Sequence, residues 1–239
     1  MLRKYLGLEV QTFRELVSTN RYLLDQERPN PGLAVLAIKQ TQGRGRLGRV
    51  WESGSGGQLT ASFLIPTRPW PHFLPCLSLL VGLSILEVLE GLGAKGLSLK
   101  WPNDLLWEDR KLAGVLLESR PEYVVAGIGV NLQVGTGEYS FEVKNRLVHL
   151  GELGISAKPA ELFESILDQT DRRFVAALKE LAPLLQDWER RSGSIGKRVR
   201  VVDSGLSGTI KGLGPAGQLV LQTEAGQVEL VSGEVVFEG

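Results

Sequence analysis

The sequence predicts an α+β protein. A larger body mixes short apolar strands with helices, and a small β-barrel follows it at the C-terminal end. Three observations carry this. Short apolar runs at Leu33–Ile38, Leu59–Ile65, Leu97–Trp101 and Val124–Val130 have strand length and are bounded by Gly, Pro or polar residues. Leu77–Leu92 and the segment opening at Pro159 carry apolar residues near helical spacing. After Ser192-Gly193-Ser194 the texture changes to short strands separated by glycine turns.

In chain order, Phe13–Glu27 reads as a turn at Ser18-Thr19-Asn20 feeding a helix. The Leu33–Ile38 strand leads into Gly43-Arg44-Gly45-Arg46-Leu47-Gly48-Arg49, and a second glycine cluster follows at residues 54–57. The strand Leu59–Ile65 stops at Pro66. Leu80, Leu83, Leu86, Leu89 and Leu92 define the next helix, ended by Gly91 and Gly93. The Leu97–Trp101 strand delivers Lys100. Leu105–Trp107 and Leu112–Glu118 form a hairpin, and Val124–Val130 is a buried strand ending at Asn131. Residues 135–154 are poorly patterned, with room for one helix. Pro159 suits a first helical turn, and Leu162, Phe163, Ile166, Leu167, Phe174 and Leu178 make the apolar face. A further helical piece spans Pro183–Arg191. Five strands are expected beyond the linker, at Lys197–Val202, Gly208–Lys211, Gln218–Thr223, Gln227–Val231 and Val235–Phe237. The expected domains are 1–192 and 193–239.

Composition narrows the function. The chain has 239 residues, 43% of them hydrophobic, so it can build a core. Lys+Arg and Asp+Glu both number 27, and a net charge of +0 gives no overall field for nucleic acid. The lone Cys76 lies in an apolar run and reads as buried and inert, in keeping with a reducing compartment. Two histidines, His72 and His149, without a CxxC do not make a zinc pattern. The first residues lack a signal-peptide pattern, and Pro75, Glu87 and Glu90 interrupt the most apolar stretch, 73–92. A soluble cytoplasmic protein with no membrane partner is expected.

Two stretches carry chemistry. Arg44, Arg46 and Arg49 sit in a glycine-rich bend, where backbone N–H groups and planar guanidinium forks can enclose an anion. The alternatives are a solvated turn or an RGG-like segment, but ordered strands bracket it and no further RGG follows. Lys100-Trp101-Pro102-Asn103-Asp104 puts a cation and a carboxylate at a strand end, either as a phosphate clamp and proton acceptor or as a surface ion pair. Lys111 alone, past a hairpin turn, carries no assignment. Ser18, Thr19 or Asn20 can cap a helix or meet a ligand at its N-terminus. Gln40 faces solvent or a polar ligand, Trp51 stacks on a ring or packs, Asn131 needs a buried partner, and Glu118 reads as structural. Arg44, Arg46, Arg49, Lys100 and Lys111 together exceed what one carboxylate needs and point to a polyphosphate. The chain has neither a P-loop nor a Rossmann fingerprint. A nucleotide-using transferase or ligase follows.

The same residues resemble biotin protein ligase. Ser18-Thr19-Asn20, residues 43–49, residues 100–104, residues 110–118 and Gly127-Ile128-Gly129-Val130-Asn131 occur in that family's order and spacing, over essentially the whole chain. The resemblance implies a mixed sheet backed by helices, akin to class II aminoacyl-tRNA synthetases, with an SH3-like barrel. It implies a two-step reaction. Biotin and ATP, with Mg²⁺, give biotinyl-5′-adenylate and pyrophosphate; the adenylate then acylates a lysine of a biotin carboxyl carrier domain. By matched position, Ser18, Thr19, Asn20 and Gln40 would hold biotin's ureido head, with Gly43 and Gly114 in the same pocket. Arg44, Gly45 and Arg46 would close over biotin and phosphates. Arg49 would meet phosphate, and Trp51 the adenine side. Lys100 would sit near the α-phosphate, and Lys111 at the carboxylate. Asn103 and Asn131 would contact the nucleotide or its metal, and Asp104 would orient or accept the proton of the incoming lysine.

The pattern departs from the family in lacking an aromatic near Thr60. It also begins at Ser18, which leaves no room for an N-terminal DNA-binding domain, so no specific DNA binding is expected. A homodimer is implied by the resemblance alone. The rivals are a lipoate–protein ligase, which the full Gly-Arg-Gly-Arg loop disfavours, and a non-enzymatic nucleic-acid binder, which the balanced charge disfavours.

Overall fold

The computed structural model of the protein describes residues 3–27, 30–51, 57–67, 74–133 and 146–238. Strands β1 (Glu9–Leu16), β2 (Leu33–Gln40), β3 (Gln58–Pro66), β4 (Leu97–Lys100), β5 (Asp104–Trp107), β6 (Arg110–Ser119) and β7 (Tyr123–Asn131) form one seven-stranded sheet in the order β1-β2-β3-β7-β6-β5-β4. Only β1–β2 is parallel, so the sheet is mixed.

Period-two alternation assigns the two faces of this sheet. Ala34, Leu36, Ala61, Phe63, Ile65, Ala126, Ile128 and Val130 point into the main core. Three helices lie in that core: α2 (Leu74–Gly91), α3 (Pro159–Ala177) and α4 (Ala182–Arg191). Leu33, Val35, Leu64 and Val125 point the other way and pack on Leu23 of α1 (Thr19–Leu24). One short helix cannot cover that face, and the uncovered part is where the site forms.

The C-terminal strands β8 (Arg198–Val201), β9 (Ser207–Leu213), β10 (Leu219–Thr223), β11 (Gly226–Leu230) and β12 (Val235–Phe237) form a five-stranded antiparallel sheet in the order β11-β10-β9-β8-β12. All five expected strands are present. The five-stranded antiparallel sheet is consistent with the expected SH3-like domain, and among the described residues no β11–β12 ladder joins its two edges. Val199, Ile210, Leu219, Leu221 and Val235 join the core of the larger body, so the inner face of this sheet is buried.

Other elements differ at their limits. The segment expected to be a turn entering a helix begins with strand: β1 runs to Leu16, and the helix starts at Thr19. β1 is a largely exposed edge strand, so its apolar signal is weak. α2 starts at Leu74 rather than Leu77. Within 135–154 the described residues form a 3₁₀ turn at Leu150–Leu153; residues 134–145 lie outside the described residues, as do His72 and most of the second glycine cluster, residues 54–56. In the expected linker, Ser192 bridges Leu99 and Ser194 is buried, so linker-like composition here is packed chain. Cys76 is buried, which pushes its thiol up to about 12, well away from a reactive thiolate. No helix among the described residues is long and apolar enough to cross a membrane.

Candidate active site

The floor of the site is set by the β3–β7 register. Gln58 faces Asn131, Thr60 faces Gly129 and Ser62 faces Gly127. On β6, Gly114 sits opposite Gly129 and Leu116 opposite Gly127. Thr60 and Ser62 on β3 therefore meet bare backbone on β7, while Gln58 meets the Asn131 amide. The space is already used: a Cβ on Gly127 would overlap the Asn20 amide, and one on Gly129 would overlap the Trp51 indole.

α1 supplies the inner wall. Ser18 is its N-cap, as expected. Thr19 and Asn20, both buried, turn toward the floor. Gln40 Oε1 accepts from Thr19 N at 2.7 Å and from its hydroxyl at 3.1 Å. Ser62 Oγ lies 2.6 Å from both Thr19 Oγ1 and Asn20 Oδ1. Asn20 Nδ2 donates to Glu118 Oε2 at 2.9 Å. The result is a preorganised set of amide and hydroxyl groups, suited to a neutral polar head group.

The arginine loop forms the lid side. Gly45 N donates to Arg49 O at 2.8 Å, and Trp51 N donates to Gly43 O at 3.0 Å, so the bend is closed by its own backbone. Leu47 at its tip has φ 56°, a left-handed conformation that costs a non-glycine residue about 1–2 kcal/mol. Arg44 Nη2 pairs with Glu118 Oε1 at 3.0 Å. Arg46 Nη1 donates to Asn103 Oδ1 at 3.0 Å, and its Nη2 donates to Gly233 O at 3.1 Å. Burial lowers the Arg46 pKa below its ordinary value. Arg49 and Glu234 form a two-pronged ion pair. That hydrogen bonding holds Arg49 above its usual value and the Glu234 carboxyl below its own. The C-terminal sheet thus grips the loop through Gly233 and Glu234.

Lys111 stands at the centre. Its Nζ is 2.6 Å from Asp104 Oδ1 and lies 5.6 Å from the centroid of a Trp51 ring. Its backbone carbonyl accepts from Asn131 Nδ2 and from Val148 N, each at 3.1 Å. Two cavities meet here. The inner one is lined by Ser18, Thr19, Asn20, Gln40, Arg44 and Gly114. The neighbouring recess is lined by Arg49, Lys100, Asp104 and Glu234. Gly45, Arg46, Trp51, Asn103 and Lys111 line both. Lys100 also rests on Phe237 of β12, its Nζ 5.3 Å from the ring centroid.

Two expected site residues lie elsewhere. Gly43 lines an outer groove behind the loop rather than either cavity. Asn131 is fully buried behind the wall, its amide used by Gln58 and by the Lys111 carbonyl. Thr60 turns its hydroxyl to Ala37 O at 2.8 Å. Four residues gain importance that sequence reading did not give them. Ser62 and Gln58 were readable as the same face of β3 as Thr60, by alternation alone. Glu118, read as structural, holds both Asn20 and Arg44. Glu234, more than 180 positions from Arg49 in the chain, has no local signal at all.

Residues 13–134 match the biotin/lipoate A/B protein ligase family, and residues 194–238 match the biotin protein ligase C terminal domain. The chain is 34% identical to the bifunctional ligase/repressor BirA of Escherichia coli, over 96% of this chain and 74% of that protein. It is 33% identical to the biotin--[acetyl-CoA-carboxylase] ligase of Paracoccus denitrificans, over 87% of this chain and 93% of that one. Among solved structures, the biotin protein ligase of Aquifex aeolicus in complex with biotin and ATP superposes with a TM-score of 0.85 at 31% identity, over 96% of this chain and 98% of that chain. The two matched segments, the mixed sheet and the paired cavities agree, and the chain belongs to the biotin protein ligases of the biotin/lipoate A/B protein ligase family.

Proposed function

We propose that this protein activates biotin with ATP and transfers it to a lysine of a biotin carboxyl carrier domain. The observation that carries the reading is the position of Lys111, which lines both the inner cavity and the cationic recess. An acid in the inner cavity and a triphosphate in the recess would meet at its ammonium.

In the first step a biotin carboxylate oxygen attacks the α-phosphorus. The bond from that phosphorus to the bridging oxygen breaks, and pyrophosphate leaves. The reaction needs alignment and charge neutralisation more than covalent help from the protein. Thr19, Asn20, Gln40 and Ser62 would hold the ureido head. Lys111 would exchange Asp104 for the biotin carboxylate. Arg46, Arg49 and Lys100 would take the phosphates, and Trp51 would face the adenine side. Arg44 and the loop tip would close over the mixed anhydride and keep water from it.

In the second step the carrier lysine amine attacks the acyl carbon and AMP departs. Asp104, which pairs with Lys111 and lines the recess, would then be free to take the amine's proton.

Mg²⁺ belongs to the proposal as a companion of the nucleotide. Among the described residues no three His, Cys, Asp or Glu groups gather into a cage. Asp104 and Glu234 are single carboxylates on the recess, which fits a hard cation held mainly by phosphate oxygens and water. A cytoplasmic setting and a homodimer are also part of the proposal; the first rests on the lone cysteine and the absence of a signal-peptide pattern, the second on the resemblance. ATP–pyrophosphate exchange measured with biotin and with lipoate tests the first step. Exchange dependent on biotin supports it; exchange with lipoate alone would replace biotin by its rival.

A further inference from the structure

Three hydrogen bonds run in series through the wall of the site. Trp51 Nε1 donates to Gln58 Oε1 at 3.0 Å, Gln58 Nε2 donates to Asn131 Oδ1 at 3.1 Å, and Asn131 Nδ2 donates to the Lys111 carbonyl at 3.1 Å. Gln58 is 4% exposed and Asn131 is 0% exposed, so water cannot readily stand in for either amide. The Lys111 ammonium then returns over the Trp51 ring, 5.6 Å from its centroid, and closes the circuit.

The ends fix the chemistry of the middle. An indole N–H can only donate, and a backbone carbonyl can only accept. The two residues between must therefore each accept on one side and donate on the other. Gln58 and Asn131 face each other in the β3–β7 ladder, which places their amides in reach. With both termini fixed, neither amide can flip without setting two donors or two acceptors against each other.

We infer that Gln58 is a positioning residue that couples the nucleotide side of the site to the acid side. The inference rests on the function proposed above, in which Trp51 faces adenine and Lys111 faces the biotin carboxylate. Gln58 borders neither cavity. It acts by tying the orientation of the indole to the backbone that carries Lys111. A nucleotide that selects one indole position thereby favours one position of the lysine, and by linkage biotin favours the same indole position.

The test measures biotin affinity by calorimetry with and without α,β-methylene-ATP, and the affinity of that analogue with and without biotin. It uses the wild-type protein, Gln58→Leu and Gln58→Met. Either variant removes both amide bonds, and the Met variant keeps nearly the full length of the side chain. In the wild type each ligand is expected to tighten the other by at least about fivefold. In both variants each ligand alone should bind within about threefold of wild type while the mutual effect falls to about one. A merely structural role would lower thermal stability and both single affinities without changing their mutual ratio. Wild-type coupling retained in a folded variant, or no coupling in the wild type, overturns the inference alone. A wild-type protein that binds neither biotin nor the analogue overturns the functional reading, and this inference with it.

Discussion

The ammonium of Lys111 and the carboxylate of Asp104 are paired at 2.6 Å across the β5–β6 hairpin, in the place where two cavities join. A substrate carboxylate that approaches Lys111 must compete with this internal partner, and success frees Asp104 for a second task. Asp104→Asn separates the two roles. Adenylate formation, read by biotin-dependent pyrophosphate exchange, is expected to stay within about threefold of wild type. Transfer to the carrier is expected to fall by about 10²-fold, the lower range for loss of a proton acceptor. Unchanged transfer would remove Asp104 from the second step.

Glu118 accepts from Asn20 and pairs with Arg44, so one carboxylate braces the polar wall and the lid together. Glu118→Gln removes the charge while keeping the shape. Loss of a hydrogen bond to a charged group is worth about 1.5 kcal/mol at the low end, so the biotin dissociation constant should rise by about tenfold. Calorimetry gives this directly, and an affinity equal to wild type would make Glu118 a bystander.

The floor glycines are occupied by neighbours rather than by solvent. In Gly127→Ala the added methyl must displace the Asn20 amide. Overpacking costs about 1–3 kcal/mol, which corresponds to roughly 5–150-fold in biotin affinity if it falls on the bound geometry. Retained affinity in this variant would show that Asn20 can move without loss.

Glu108 and Asp109 turn the β5–β6 hairpin with φ 47° and φ 62°, where Asn-Gly is the favoured pair. The double change Glu108→Asn with Asp109→Gly should raise stability by about 1–2 kcal/mol in denaturant melts. Activity should not change, because both residues lie outside the two cavities. A lower stability would mean that the exposed Asp109–Lys197 pair at 3.7 Å outweighs the backbone relief.

The Arg49–Glu234 pair gives a pH signature. The folded carboxyl sits below its ordinary value of 4.5, held there first by its hydrogen bond to Arg49. A depressed carboxyl pKa adds stability above the unfolded value, and that contribution is lost as pH falls through the folded one. The stability gap between wild type and Glu234→Gln should therefore be present at pH 7 and shrink below pH 4.5. Paired urea melts across that range check it; a gap that widens on acidification contradicts the assignment.

What the sequence disclosed and what it hid divide along physical lines. The arginine loop, Lys100–Asp104 and the β6–β7 stretch are local, and their glycines and charges were visible without coordinates. Helices α2 and α3 followed from spacing, and the C-terminal strands from alternation between glycine turns. β1 was missed because an exposed edge strand that pairs in parallel with β2 needs little apolar sequence. The partners of the cations were missed for another reason. Glu118, Glu234 and Gln58 reach their arginine, asparagine or tryptophan partners through strand register and domain contact, which no short window encodes. Asn131, ending a buried strand, read as needing a partner, and Gln58 opposite it and the Lys111 carbonyl are those partners; its contact with the nucleotide was implied by the resemblance alone.

The most direct measurement of the central claim is made on the carrier. The purified protein is incubated with ATP, Mg²⁺, biotin and a biotin carboxyl carrier domain, and the carrier is weighed intact by mass spectrometry. One biotinyl group on its target lysine, absent when ATP is withheld and absent with Lys111→Met, is the expected result. An unmodified carrier, or equal modification by the Lys111→Met variant, would contradict the meeting of acid and nucleotide at Lys111.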